Sequence, residues 1–315
     1  MAYYIARRLA TTVPVLLLVS MIAFSLVFLL PGDAAMMVLG DQAKDEQLYR
    51  TLRAEMGLDR PIPIQYLNWV RKAATGDFGV SSRLRQPVGE LIQQRLVPTA
   101  ELAVLAMLLA LIVSVPVGIV SAVKPNSRTD TMGTIFALSG VAIPHFWLGI
   151  MLMFLLAVWF RWLPPSGYVS PFVDLGHSLK LMIMPSLTLA TGLTAVIMRQ
   201  VRSSIIDVMQ QEYVVTARAK GLSEPVIVVV HALRNGLIPV VTVIGLQVGR
   251  LLGGAVVVEV IFSIPGMGRL AVDAISYREF PIVQAVVLAM AVAVLTANLV
   301  TDILYAYLDP RIRYR

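Results

Sequence analysis

The chain has 315 residues, of which 57% are hydrophobic and only 14% charged, with a formal net charge of +7 and no cysteine. Soluble domains run to roughly 45–50% apolar and about 25% charged residues, so this composition fits lipid as the main solvent. The missing cysteines exclude a disulfide framework and thiolate metal sites. The basic excess, with no aromatic-basic platform or recognition helix beside it, reads as membrane topology and anionic headgroups and not as nucleic-acid binding.

About 20 apolar residues span the hydrocarbon core as a helix, and six segments have that character. Leu9–Leu30 carries no charge. Its length and the lack of an A-x-A site after it argue for a retained helix and against a cleaved signal peptide. The loop 31–98 holds Leu48, Leu52 and Met56 at helical spacing and places Tyr66 and Trp69 as an interfacial aromatic anchor. With "RPIP", "TGDFG" and "RQP" as breaks, it is expected to form a small helical extracytoplasmic cap. Leu102–Val123 is again uncharged. Thr131–Phe160 is too long for one straight span, and Pro144 is expected to kink it or split off an interfacial part. Leu181–Met198, Leu237–Phe262 (apolar apart from Arg250 and Glu259) and Pro281–Thr301 complete the set.

Basic residues divide unevenly between the two sides. One side receives Arg7, Arg8, Lys124, Arg128, the stretch from Arg199 to Arg234 and the tail "RIRYR"; the other short loops hold Arg161, Lys180, Arg269 and Arg278. The positive-inside rule then puts both termini in the cytoplasm. The expected organisation is an N-terminal helix with its outer loop (1–98), a five-helix transmembrane domain (99–308) and a cytoplasmic tail (309–315).

Between the fourth and fifth spans, on the basic side, lies "EYVVTARAKGLSEP". Ile206, Met209, Tyr213 and Ala217 fall on one helical face. Gly221 suits a left-handed helix end, Ser223 a cap for the next helix, and Pro225 its first turn. Two readings follow: an ordinary basic loop, or a mechanical element that docks into a soluble partner and moves the spans. Gly245, Gly249 and Gly253 recur every four residues, either for close helix packing or as a face that slides. Arg250 sits in mid-span, where charge is costly, and should face protein or a watery path. Nine residues on, Glu259 points to the opposite side of the same helix. His145, His177 and His231 are too scattered for a metal site. Asn298 and Asp302 share a face of the last span, where packing or hydrogen bonding is the default.

The stretch "YVVTARAKGLSEPVIVVVHALRNGLIPVVT" resembles the cytoplasmic coupling loop of binding-protein-dependent ABC importer permeases of the dipeptide/oligopeptide/nickel group. The resemblance extends through "YIARRL", "LLPGD", "GLDRPIPIQY", "RLVPTAELA", "LPPSG", "GLQVGRLLGGAVVVEVIFSIPGMGRL", "YREFPIVQA" and "DILYAYLDPRIRYR". It implies an all-α polytopic membrane protein with six transmembrane helices in the type I importer permease fold. It implies four kinds of partner: a homologous second permease, two ABC ATPase subunits, an extracytoplasmic solute-binding protein, and a peptide as cargo. ATP and Mg would be bound by the ATPase subunits, since this chain has no phosphate-binding G-x-x-x-x-G-K-[ST] loop and so no cofactor or catalytic residue of its own. Contact with the ATPase would fall to Tyr213, Thr216, Ala217, Arg218, Lys220, Gly221 and Ser223. Val215, Thr216 and Ala217 stand where the broader permease consensus has Glu-Ala-Ala, and Pro239 comes late, as in the peptide version of the loop. Arg250 and Glu259 are assigned to the path or gate. Arg250 is read either as a partner for a peptide carboxylate or as a structural cation, and Glu259 as part of an outer gate or chain interface. Nickel chelate, glutathione or oligosaccharide cargo stays open, as does, from another class, an independent secondary transporter. A membrane enzyme would need a polar cluster within the spans, which the sequence lacks.

Overall fold

The computed structural model describes residues 2–29, 34–39 and 44–308. The tail 309–315 and most of "LLPGD" lie outside the described residues. Among those described the chain is helical, apart from turns and a single bridge between Val80 and Pro87. Helix α1 (Ala2–Ser25) continues through one tight turn, and α2 (Ala34–Leu39), α3 (Glu46–Glu55) and α4 (Ile62–Ala74) build the cap. Asp45 opens α3 by accepting from the amides of Gln47 and Leu48, the usual carboxylate cap. The cap folds onto α1. Tyr66 Oη and Ser20 Oγ lie 2.7 Å apart, and the Phe24 ring sits edge-on to Tyr66 and tilted against Trp69. Tyr66 and Trp69 thus pack against α1 instead of serving as a bilayer-facing anchor.

Then follow α5 (Val88–Val123), α6 (Arg128–Ala142), α7 (His145–Leu152, extended by a wide π-helical turn to Trp159) and α8 (Leu175–Met209). Helix α5 runs unbroken past residue 98, the expected edge of the N-terminal unit. Among the described residues five helices are long and apolar enough to cross a bilayer, and α6 and α7 form a bent pair at 100°. The bend falls at Pro144, whose ring cannot continue the α6 hydrogen-bond ladder. Helices α5 and α8 run parallel: Ser178 donates to Glu101 near their starts, and Gly118 lies against Val201 near their ends. The chain therefore has to recross between them, and the α6–α7 pair makes that crossing, the sixth.

Helix α8 occupies the centre of the bundle, with 72% of its most apolar stretch buried against 17–33% for the other four long helices. Leu189, Leu193, Ile197, Val201 and Ile205 form its spine in the main core with Leu102 and Ala106 of α5. Asp130, at the start of α6, is nearly buried and accepts two bonds from Arg202 of α8, at 2.6 and 2.7 Å. This planar fork satisfies both ions at a helix end where neither could otherwise be buried.

The chain continues through α9 (Glu212–Ala219), α10 (Glu224–Val226, followed by a second π-helical turn), α11 (Leu233–Gly236), α12 (Ile238–Ile261), α13 (Met267–Ser276) and α14 (Phe280–Leu308). Arg8 and Asp302, 3.2 Å apart, join α1 to α14, so Asp302 has an ion-pairing role beyond packing. The glycine face of α12 meets α14 unevenly. A side chain at Gly245 would collide with Thr301, one at Gly249 would make ordinary contact with Val294, and one at Gly253 would meet nothing within 4 Å. Overpacking a close contact costs about 1–3 kcal/mol. Gly245→Ala should therefore lower the apparent Tm of the detergent-solubilised chain, and Thr301→Ala in the same chain should recover part of the loss. Gly253→Ala should leave it unchanged.

Candidate functional site

Three polar features singled out by the sequence can be placed among the described residues. The first is the surface turn between α8 and α12. Helix α8 ends at Gln210 and α9 begins at Glu212. Ile206 and Met209 therefore belong to α8, and the single face expected from Ile206 to Ala217 is divided between two helices. Within α9, Val214 and Ala217 are buried against Val208 and Met209 of α8 and Ile227 beyond the turn. The helix ends in a left-handed Schellman motif: the Gly221 amide donates to Arg218 O at 2.9 Å and the Leu222 amide to Ala217 O at 3.3 Å, with Gly221 at φ +82°. Arg218 Nε donates to Glu224 Oε1 at 2.7 Å, bridging the turn. That bond holds the Glu224 carboxyl below the usual carboxylate range. Ser223 occupies the first position before α10, in extended backbone, but its hydroxyl makes no capping bond. Only three α-helical residues follow before the wider turn begins, so the expected cap does not form.

The exposed surface of this turn is a mixture of cationic and apolar groups. Tyr213, Val215 and Leu222 are 41%, 56% and 41% exposed, while Thr216, Arg218, Lys220, Gly221 and Ser223 are also on the surface. Tyr213 is fixed by the Asn235 amide, which donates to its hydroxyl at 3.0 Å, and Thr216 Oγ1 bonds back to Glu212 O. Ala217 faces inward, so its contribution is to seat α9 on α8. Val215 and Leu222 were not among the contact residues expected from the sequence. The available signal was two apolar residues on an otherwise polar turn.

The second feature is Arg250. It is exposed in this chain, halfway along α12, and among the described residues no hydrogen bond or ion pair reaches it. It borders a cavity of about 190 Å³ beside the α6–α7 bend, shared with His145, Gln247, Leu189 and Gly192. His145 Nδ1 lies 3.2 Å from Thr188 O, which holds the ring across the bend. The three histidines form no metal site with acidic neighbours among the described residues.

The third is Glu259, on the opposite face of α12 and fully buried. Its carboxylate accepts from the Thr99 hydroxyl at 2.6 Å and the Arg269 amide at 2.9 Å; Thr99 Oγ1 in turn accepts from the Met267 amide at 2.8 Å. Gly266 passes so close that any side chain there would strike the carboxyl. Glu259 therefore binds together α5, the end of α12 and the start of α13. Arg250 and Glu259, grouped by the sequence reading as path or gate, stand in separate surroundings.

The family described as binding-protein-dependent transport system inner membrane component matches residues 114–314, and its N-terminal counterpart matches residues 1–103. The chain is 42% identical over 315 residues, with both chains wholly covered, to the glutathione transport system permease protein GsiC of Salmonella typhimurium. It is 40% identical over 338 residues, again with both wholly covered, to the dipeptide transport system permease protein DppB of Escherichia coli. Among solved structures, the inward-facing MetNI methionine ABC transporter aligns at TM-score 0.55 and 16% identity, over 70% of this chain and 96% of that one. An amino acid ABC transporter with histidines aligns at 0.52 and 13% identity, over 69% and 94%. At these identities the structural likeness speaks for the fold.

Removing the Glu259 carboxylate would strand the Arg269 amide and leave the Thr99 hydroxyl without its shortest bond. Each buried group left without a partner costs about 1–3 kcal/mol. Glu259→Ala should lower the unfolding temperature and expose the turn at residues 263–268 to limited proteolysis. A variant that stays as stable as wild type but no longer transports would place Glu259 in the gate instead.

Proposed function

This chain belongs to the binding-protein-dependent transport system inner membrane component family, and we propose on that footing that it is the permease subunit of an ABC importer carrying di- and oligopeptides. The full-length likeness to proteins named for glutathione and dipeptide transport supports this cargo class, since glutathione is itself a peptide. In this reading a solute-binding protein delivers peptide to the cap side, and a homologous second permease completes the path. Two ATPase subunits, which hold ATP and Mg, drive the switch between two packings of the spans. Both termini face the cytoplasm. In support, the Arg8–Asp302 pair and the α9 turn lie at the chain ends of the spans, while α13 and the cap lie at the other.

The observation that carries the proposal is the α9 turn. It is anchored inward by Val214 and Ala217, stiffened by the Arg218–Glu224 bond, and presents Tyr213, Val215 and Leu222 outward. A rigid, partly apolar knob joined directly to α8 and α12 is suited to transmit a push from a soluble partner to the most buried helix of the bundle. The test is purification from native membrane in mild detergent, with ATPase activity measured with and without peptide-loaded binding protein. Recovery of a second permease and ATPase subunits, with peptide-dependent stimulation, is the expected outcome. A chain that purifies alone without ATPase activity would point to an independent transporter. Ala217→Asp, which forces a charge into the Val214–Ile227 contact, and Gly221→Val, which imposes a branched side chain on left-handed backbone, should leave insertion intact. Both should abolish peptide-stimulated ATPase activity, and normal transport and stimulation in both would overturn the coupling role.

Arg250 is assigned to the translocation path. A mid-span guanidinium is unfavourable toward lipid by about 2.5–3.5 kcal/mol on insertion scales, and this one opens onto a cavity that it shares with Gln247 and His145. It is placed to attract a peptide carboxylate. Arg250→Gln should reduce uptake of acidic peptides several-fold while sparing basic ones. An equal loss for all peptides would make it a structural cation paired with the second permease.

A further inference from the structure

At the α13 end of the bundle, away from the α9 turn, lies an open cavity of about 270 Å³. Three guanidinium groups from three separate elements line it: Arg83 from the loop before α5, Arg95 from α5, and Arg269 from α13. Among the described residues none of the three is in an ion pair. The lining also holds two acids, Asp273 and Glu279, so its cationic excess is one charge, but neither acid forms an ion pair with an arginine. Glu279 is engaged elsewhere, accepting from Ser81 Oγ at 2.9 Å and from the amides of Ser82 and Arg83 at 3.1 and 2.9 Å. Asp273 is exposed and forms no ion pair.

One of the arginines is positioned in advance. The Arg83 guanidinium lies 3.8 Å over the Tyr277 ring, a cation–π contact that holds it in place. Arg95 reaches Pro265 O through Nη1 only at 3.4 Å, and its Nε is buried with no hydrogen-bond partner. A cluster of guanidinium groups matches a carboxylate, which accepts two parallel bonds from one arginine and further bonds from its neighbours.

We infer that this pocket receives the carboxylate of one Asp or Glu side chain projecting from the solute-binding protein. The inference rests on the importer reading above, which supplies such a partner on this side. Sites for free small molecules are usually about 300–1,000 Å³ and mostly apolar. This cavity, at about 270 Å³, lies just under that range and sets three guanidinium groups among apolar side chains, which favours a single acidic side chain brought by a protein surface. The pocket also adjoins the Glu259 clamp. Arg269 lines the cavity with its side chain while its amide bonds Glu259, and Arg95 touches the carbonyl of Pro265 in the same turn. An acid seated here therefore bears on the turn that connects α12 to α13.

The test uses the complete importer in lipid nanodiscs, with ATPase activity titrated against its solute-binding protein loaded with dialanine. Arg83→Ala with Arg269→Ala should raise the half-saturating concentration roughly tenfold, as expected on removing charges that steer and hold a protein partner. The maximal rate should be unchanged and the salt dependence of half-saturation flatter. Arg83→Lys with Arg269→Lys, which keeps the charge but loses the fork, should fall in between. An unchanged half-saturating concentration overturns the inference. An effect seen only when the binding protein carries an acidic peptide also overturns it, because the pocket would then read the cargo. A wild-type complex that no concentration of binding protein stimulates would overturn the importer reading itself, and this inference with it.

Discussion

Hydrocarbon offers no hydrogen-bond partner, so each backbone amide and carbonyl within the spans must be bonded inside its own helix. That constraint makes the membrane portion helical and favours charged side chains at points where other protein groups meet them. Asp130 and Arg202 meet where α6 joins α8, and Glu259 meets Thr99 and the α13 amides where α12 turns. Both lie at helix ends, where backbone donors and long side chains can converge. Where the α6 ladder fails at Pro144, the chain bends by 100° and still completes its crossing.

Set against these satisfied groups, Arg250 is a mid-span charge without a partner among the described residues. Its neighbours Gln247 and His145 are polar, but among the described residues no carboxylate approaches it. A bilayer protein that keeps such a charge in mid-span has a use for it or a partner outside the chain. Glu259 belongs to the same helix with the opposite circumstances: complete burial and a full set of donors. The two residues show how one helix can hold a buried, hydrogen-bonded carboxyl group on one face and an exposed cation on the other.

The mechanical reading of the α9 turn depends on stiffness. A loop held only by exposed polar contacts would absorb a push instead of passing it on. Here the Schellman end at Gly221, the Arg218–Glu224 bridge and the Val214–Ala217–Ile227 contact remove most of that freedom. Since α8 is the most buried of the long helices, displacement at its α9 end has to be accommodated across the core. A close-packed core accommodates it by moving between discrete packings.

Much of this protein was legible before any fold was known. Uncharged apolar runs of span length announce helices because lipid leaves no alternative, and Gly221 announced a left-handed helix end because other residues are strained there. The motif resemblance pointed to the permease family, and the family matches over residues 1–103 and 114–314 agree with it. Other features depended on contacts between residues distant in the chain, which periodicity does not encode. The extensions of α5 and α8 beyond their apolar runs, the turning of Tyr66 and Trp69 onto α1, and the inward face of Ala217 are of this kind. So are the joining of Glu259 to Thr99 across 160 positions and the meeting of Arg83, Arg95 and Arg269 around one cavity. Sequence alone determined which segments enter the membrane, since that is a transfer free energy summed over neighbouring residues. Tertiary structure alone decided which polar groups are satisfied and which remain available, since that depends on what the other helices bring within bonding distance.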